Sequence, residues 1–148
     1  MVSPVGLKVM VVDDTATFRM IVHHALVSLG VTSICLASDG EDALRMLSCE
    51  SDVGVIICDW HMHPMDGLTL CTKLKDVPEL AGRTIPVIFM TSDPKLADPE
   101  KRARMLEPAR AIGIVEVLPK PFTTLDLAAV LSQTIGRQIE APAVKSTE

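Results

Sequence analysis

Leu7-Lys8-Val9-Met10-Val11-Val12-Asp13-Asp14 is a short, nearly unbroken apolar run that stops at two acids. A half-exposed strand would alternate apolar and polar positions, so a run this short and β-branched predicts a strand buried on both faces. Beyond the acids, Phe18, Ile21, Val22, Ala25, Leu26 and Leu29 fall at i, i+3, i+4, i+7, i+8 and i+11. That spacing makes one apolar stripe on a helix, with Gly30 as its C-terminal stop.

The same alternation repeats along the chain. Ser33 to Ala37 predicts a second strand, and Asp39-Gly40 opens a helix carrying Ala43, Leu44 and Leu47. Gly54 to Cys58 predicts a third strand ending at Asp59, followed by a Pro/Gly-containing loop and a helix around Leu68, Cys71 and Leu74. Pro86 to Met90 predicts a fourth, ending at Thr91-Ser92, and Ile114 to Leu118 a fifth, ending at Pro119-Lys120-Pro121. Thr123 with Asp126 three residues on is a variant capping box for a last helix, whose buried face is Leu127, Val130, Leu131 and Ile135. Five strands alternating with about five helices predict an α/β, doubly wound parallel sheet with right-handed crossovers. The expected organisation is an N-terminal extension at 1–6, one domain at 7–136 with an extended segment at about 93–112, and a loose C-terminal tail at 137–148.

The chemistry-bearing residues collect at strand ends. In open parallel sheets ligands bind beyond the carboxyl ends of the strands, where strand order reverses. Asp13 and Asp14 follow strand one, Asp59 strand three, Thr91 strand four and Lys120 strand five. By itself the Asp13-Asp14 pair reads better as a solvated turn. Together with the other strand-end residues it reads as a site. Carboxylates held close together raise each other's pKa unless something positive neutralises them. A hard divalent cation, Mg²⁺ or Mn²⁺, suits such oxygen donors, and Lys120 adds a further positive charge.

Composition bounds the function. The chain has 148 residues, 48% of them apolar, which suits one domain with its own core. A net charge of −5 argues against a general nucleic-acid or anionic-membrane binder, each of which needs a basic field. No stretch reaches the roughly 18 apolar residues of a membrane span, and Met1 to Leu7 does not read as a signal peptide. The four cysteines, Cys35, Cys49, Cys58 and Cys71, are not closely paired, so reduced thiols and a cytoplasmic location are expected.

Several separate motifs together resemble the response-regulator receiver family of two-component signalling, the CheY-like phosphorylation switches. They are Val11-Val12-Asp13-Asp14, Asp39-Gly40-Glu41-Asp42-Ala43-Leu44, Asp59 with Met65-Asp66-Gly67, Thr91-Ser92 and Lys120-Pro121-Phe122. The resemblance covers about residues 7 to 136 and implies a flavodoxin-like sheet of order 2-1-3-4-5. It further implies that Asp59 accepts a phosphoryl group from a sensor histidine kinase or a histidine phosphotransfer protein. Asp14 and Asp59 would bind Mg²⁺ directly, Asp13 through water, and the backbone carbonyl of His61 would complete the protein ligands. Thr91 would move to hydrogen-bond a phosphoryl oxygen, and a cis Lys120-Pro121 peptide would aim the lysine into the site. The output would be a phosphorylation-dependent docking onto a downstream protein, as expected of a stand-alone regulator without a DNA-binding or enzymatic domain.

Three features depart from the family pattern. Val117 stands where the family often has Tyr or Phe, three residues before the lysine. The loop after Asp59 carries Pro64 where the family proline usually comes one position earlier, and His61 and Asp93 stand where the family uses side chains to tune dephosphorylation. The span from Thr91 to Lys120 is longer than in a compact receiver by roughly two helical turns. Within it Asp98-Pro99 is a helix start, and Pro108 is expected to break or kink that helix. Lys101, Arg102, Arg104 and Arg110 make it basic, either as a solvated face or as a partner-binding surface.

Other readings have specific weaknesses. A zinc site from Cys58, Cys71, His61 and His63 matches no standard ligand spacing. His23 and His24 could mimic a phosphodonor histidine, but a phosphotransfer bundle needs no five strands. An aspartyl-phosphate phosphohydrolase would need a second acid two residues after its nucleophile, where this chain has His61. A receiver-like adaptor that is never phosphorylated would not need the intact set of acids.

Overall fold

A computed structural model describes residues 6–136; the expected tail and all of the N-terminal extension except Gly6 lie outside the described residues. Five strands, β1 (Lys8–Val12), β2 (Ser33–Ala37), β3 (Val55–Asp59), β4 (Val87–Thr91) and β5 (Ile114–Pro119), alternate with five helices. The helices are α1 (Ala16–Ser28), α2 (Gly40–Leu47), α3 (Gly67–Leu74), α4 (Pro99–Ala109) and α5 (Thr124–Ile135). All strand pairs are parallel and the order is β2-β1-β3-β4-β5. The strand order turns back at β1, which sits between β2 and β3.

The continuous apolar runs are explained by burial on both faces. Side chains alternate across a strand, so Val9, Val11, Val55, Ile57, Ile88 and Met90 pack with Val22 and Leu26 of α1 and Leu127 and Leu131 of α5. Met10, Val12, Ile56, Cys58, Val87 and Phe89 face the other way, against α2, α3 and α4. Burying a side chain of this size is worth about 1.5–3 kcal/mol, and it is this two-sided core that holds the strand ends level.

The helix boundaries follow local chemistry. Asp39, Asp66 and Asp98 each accept a hydrogen bond from a backbone N–H of the helix they precede. Thr123 and Asp126 form the reciprocal capping box expected for α5. Gly30, with φ of 92°, supplies the left-handed turn after α1 that residues with a Cβ adopt at a cost.

Two expectations need correction. Ile21 belongs to the apolar stripe of α1 by spacing, yet it is 52% exposed, with Met20 and Val27 also exposed. The stripe is wider than the surface that the sheet and α5 cover, so its edge faces water. Pro108 does not break α4: the helix runs one residue past it, to Ala109, and tightens into a 3-10 turn at Arg110–Ile112. A proline this close to the end removes one N–H donor, and only one further residue has to stay helical beyond it. The extended segment at about 93–112 is largely helical, as a 3-10 turn at Pro94–Ala97, α4 and the second 3-10 turn. Its basic residues are exposed except Arg102, whose guanidinium donates to the carbonyls of Leu96 and Ala97.

Candidate functional site

The strand ends bring the acids together. β1 delivers Asp13, fully buried, and the exposed Asp14; β3 ends at the buried Asp59. One carboxylate oxygen from each lies within 4.8 Å of the other two, and no other such group of potential metal ligands occurs among the described residues. Lys120 follows β5, and its ammonium stands 3.4 Å from Asp59 Oδ1 and 3.5 Å from Asp13 Oδ2. Its backbone N–H donates to the Thr91 carbonyl at 2.7 Å, and the Lys120-Pro121 peptide is cis, as expected.

The three acids differ in how much of their acceptor capacity is already used. Asp13 Oδ1 accepts the Thr15 backbone N–H at 2.8 Å while Oδ2 faces the lysine. Asp14 Oδ2 takes a weaker contact, 3.3 Å, from the His63 backbone N–H, leaving its other oxygen open. Burial is the largest influence on the Asp59 carboxyl and raises it above its ordinary 3.8. The Lys120 ammonium opposes that rise, and the Asp13 and Asp14 charges reinforce it. A carboxyl pushed up by burial and by two like charges calls for a compensating cation, and an all-oxygen donor set with one open carboxylate fits a hard divalent one.

Thr91 ends β4 and is fully buried, with its hydroxyl accepting the Asp93 backbone N–H at 3.1 Å. His61 is exposed and its ring stacks on Trp60 at 5.4 Å, while Trp60 in turn packs on Phe89 at 5.3 Å. The zinc set does not assemble. Among the described residues Cys58, Cys71, His61 and His63 form no group of potential metal ligands, and burial raises the thiol of Cys58 well above its ordinary value and that of Cys71 to about 12.

Two residues of the site carried no signal in the sequence. The Arg19 guanidinium donates to the Asp13 carbonyl at 2.6 Å, fixing the backbone at the end of β1. Phe18, read only as part of the α1 stripe, lies under the lysine: the ammonium is 4.0 Å from its ring centroid. Phe18 also meets Phe122 edge-on, 5.7 Å between centroids. Both contacts join α1 to the loop after β5, a tertiary approach that no local spacing encodes.

Comparison with known proteins bears on the family and the fold. The family model for the response regulator receiver domain matches residues 9–132. Chemotaxis protein CheY-3 of Vibrio cholerae is 33% identical over 132 residues, covering 89% of this chain and 94% of its own. The solved structure of CheY4 of Vibrio cholerae, 27% identical, superposes with a TM-score of 0.70 over 86% of this chain and 98% of its own. The receiver domain of sensor histidine kinase PA1611 from Pseudomonas aeruginosa PAO1, solved with a magnesium ion coordinated in its active site cleft, is 24% identical. It shares the fold with a TM-score of 0.69, over 88% of this chain and 98% of its own. With its own strand-end acids and lysine gathered on one rim, the chain belongs to the response regulator receiver domain family.

Proposed function

We propose that this chain is a phosphoacceptor switch: Asp59 takes a phosphoryl group from a phosphohistidine of a sensor histidine kinase or phosphotransfer protein. Response regulator receiver domains are signalling domains, and the reading for this chain rests on one observation above all. The Asp59 carboxylate stands 3.4 Å from the Lys120 ammonium and within 4.8 Å of oxygens from two further acids.

The transfer is a single displacement. An Asp59 carboxylate oxygen attacks phosphorus, the P–N bond to the donor imidazole breaks, and its electron pair stays on the imidazole nitrogen. The product is an acyl phosphate on Asp59. Hydrolysis reverses the change at Asp59, with water attacking phosphorus and inorganic phosphate leaving. A bound Mg²⁺, or Mn²⁺, would offset negative charge on the phosphoryl oxygens, where catalysis is mostly positioning and electrostatics. Asp14 and Asp59 would hold it by their carboxylates, Asp13 would act through water, and the His61 carbonyl would be a further ligand.

Lys120 would offset further negative charge on the phosphoryl group. Thr91 leaves the Asp93 N–H and turns its hydroxyl to a phosphoryl oxygen, drawing in the loop between β4 and α4. The phosphoryl group shifts the protein only because it binds one loop position better than the other. The resulting surface, made by α4, β5 and α5, docks onto a downstream protein, and the chain works in the cytoplasm; no helix of the described residues is long and apolar enough to cross a membrane. Nucleic acid and membranes have no part in this function.

Labelling by acetyl phosphate tests it. The expected result is one added phosphoryl group by intact mass, dependent on Mg²⁺, absent in EDTA and absent in Asp59→Asn. Label that survives Asp59→Asn, or no label on the wild type, overturns the reading.

A further inference from the structure

We propose that Phe18 is a positioning residue for the lysine of the site: its ring holds the Lys120 ammonium in place before the phosphoryl group arrives. The inference rests on the phosphoacceptor reading above and adds to it a residue from the first helix.

The two carboxylates attract the ammonium without fixing it. Their oxygens lie 3.4 and 3.5 Å away, beyond the roughly 2.7–2.9 Å of a tight charged hydrogen bond. The lysine backbone is secured by the bond from its N–H to the Thr91 carbonyl, so the freedom that remains is in the long side chain. The face of Phe18 bounds that freedom. At 4.0 Å from ammonium to ring centroid, the pair is well inside the roughly 6 Å over which a ring's negative face attracts a cation.

The ring is itself held. Phe122, two residues after Lys120 in the same loop, meets Phe18 edge-on with planes at 86°. An edge-to-face pair sets the tilt of both rings, so the loop that carries the lysine also fixes the surface on which the ammonium rests. The lysine side chain is only 16% exposed, so water competes weakly for the ammonium, the condition in which a cation–ring contact is strongest. An aliphatic side chain at position 18 would fill the space but offer no such face. Charge attraction, rather than volume, is therefore the property to test.

Acetyl phosphate labelling rates in Mg²⁺ compare wild type, Phe18→Leu, Phe18→Tyr, Lys120→Met and the Phe18→Leu/Lys120→Met double variant. Loss of the ring in Phe18→Leu is expected to slow labelling about three- to tenfold, and Phe18→Tyr, which keeps the face, to hold the rate within about twofold of wild type. On the Lys120→Met background, Phe18→Leu should add less than about a twofold loss, because there is no ammonium left to hold. A second readout needs neither metal nor phosphoryl donor. The NMR proton shifts of the Lys120 ε-methylene should be displaced upfield by the ring in wild type and Phe18→Tyr, and return toward those of a free lysine in Phe18→Leu. If Phe18→Leu does not fold, Phe18→Met replaces it in both measurements.

An unchanged labelling rate in Phe18→Leu, a loss of equal size on the Lys120→Met background, or an undisplaced ε-methylene in wild type overturns the inference alone. A wild type that takes no Asp59-dependent label overturns it together with the phosphoacceptor reading.

Discussion

Asp59 is held in a state that costs stability at neutral pH. Its carboxyl is raised above 3.8, chiefly by burial, so the folded protein favours the protonated form more than the unfolded chain does. The stability Asp59 contributes is therefore fully present below the unfolded value and is lost as the pH rises through the raised folded value. In EDTA at pH 7, Asp59→Asn should be more stable than wild type by on the order of 1 kcal/mol, about 4 °C in Tm for a domain of this size. That gap should narrow as the pH falls through the folded value toward 3.8. Asp13, Asp14 and Lys120 are common to both proteins, so the difference isolates Asp59 and its coupling to them. Thermal melts across pH check this, and a gap that is constant or reversed in sign contradicts the assignment. The sequence named this residue because acids, a hydroxyl and an ammonium fall together at the ends of several strands of one sheet. Phe18 was legible only as an apolar member of a helix, since nothing local says that a lysine a hundred residues away will rest on its ring.

At the scale of elements, the α3 N-terminus is set by how closely it approaches the sheet. A Cβ on Gly67 would come within 2.8 Å of the Phe89 ring and 3.1 Å of the Asp59 carbonyl, so either the ring or the backbone at the end of β3 must move. Gly67→Ala should cost about 1–3 kcal/mol and slow labelling of Asp59. Gly40, at the start of α2, is a contrasting case. The three atoms nearest its Cβ would all belong to the Met65 side chain, the sulfur first at 2.6 Å, and a flexible thioether can give more readily than a ring or a strand. Gly40→Ala should therefore cost less stability than Gly67→Ala. Urea unfolding of the two variants decides, and equal losses would mean that packing of α3 against β3 and β4 does not position the site. Helix starts were legible because Asp39, Asp98 and Thr123 cap by local side-chain chemistry. The exposure of Ile21 was not, because spacing tells which side of α1 is apolar but not how much of that side its neighbours cover. The register shift between β4 and β5 near Val87 and Ile88 likewise left no local mark.

For the molecule as a whole, the parallel sheet converts five short apolar runs into one edge where acids from β1 and β3 face a lysine from β5. That architecture was legible because burial on both faces forces continuous apolar strands, and because their ends share one rim. Geometry across the rim, such as the Arg19 guanidinium on the Asp13 carbonyl, came only with the tertiary structure. The central physical claim is that these acids tolerate one another through a divalent cation. Trp60, the single tryptophan of the chain and the neighbour of Asp59, reports directly on it. Titration with Mg²⁺ should give a saturable one-site change in Trp60 fluorescence and a Tm that climbs with the logarithm of Mg²⁺ concentration once the site is filled. Both responses should vanish in Asp13→Asn/Asp14→Asn. No response in wild type, or the same response in the double variant, would contradict a cation held among these acids.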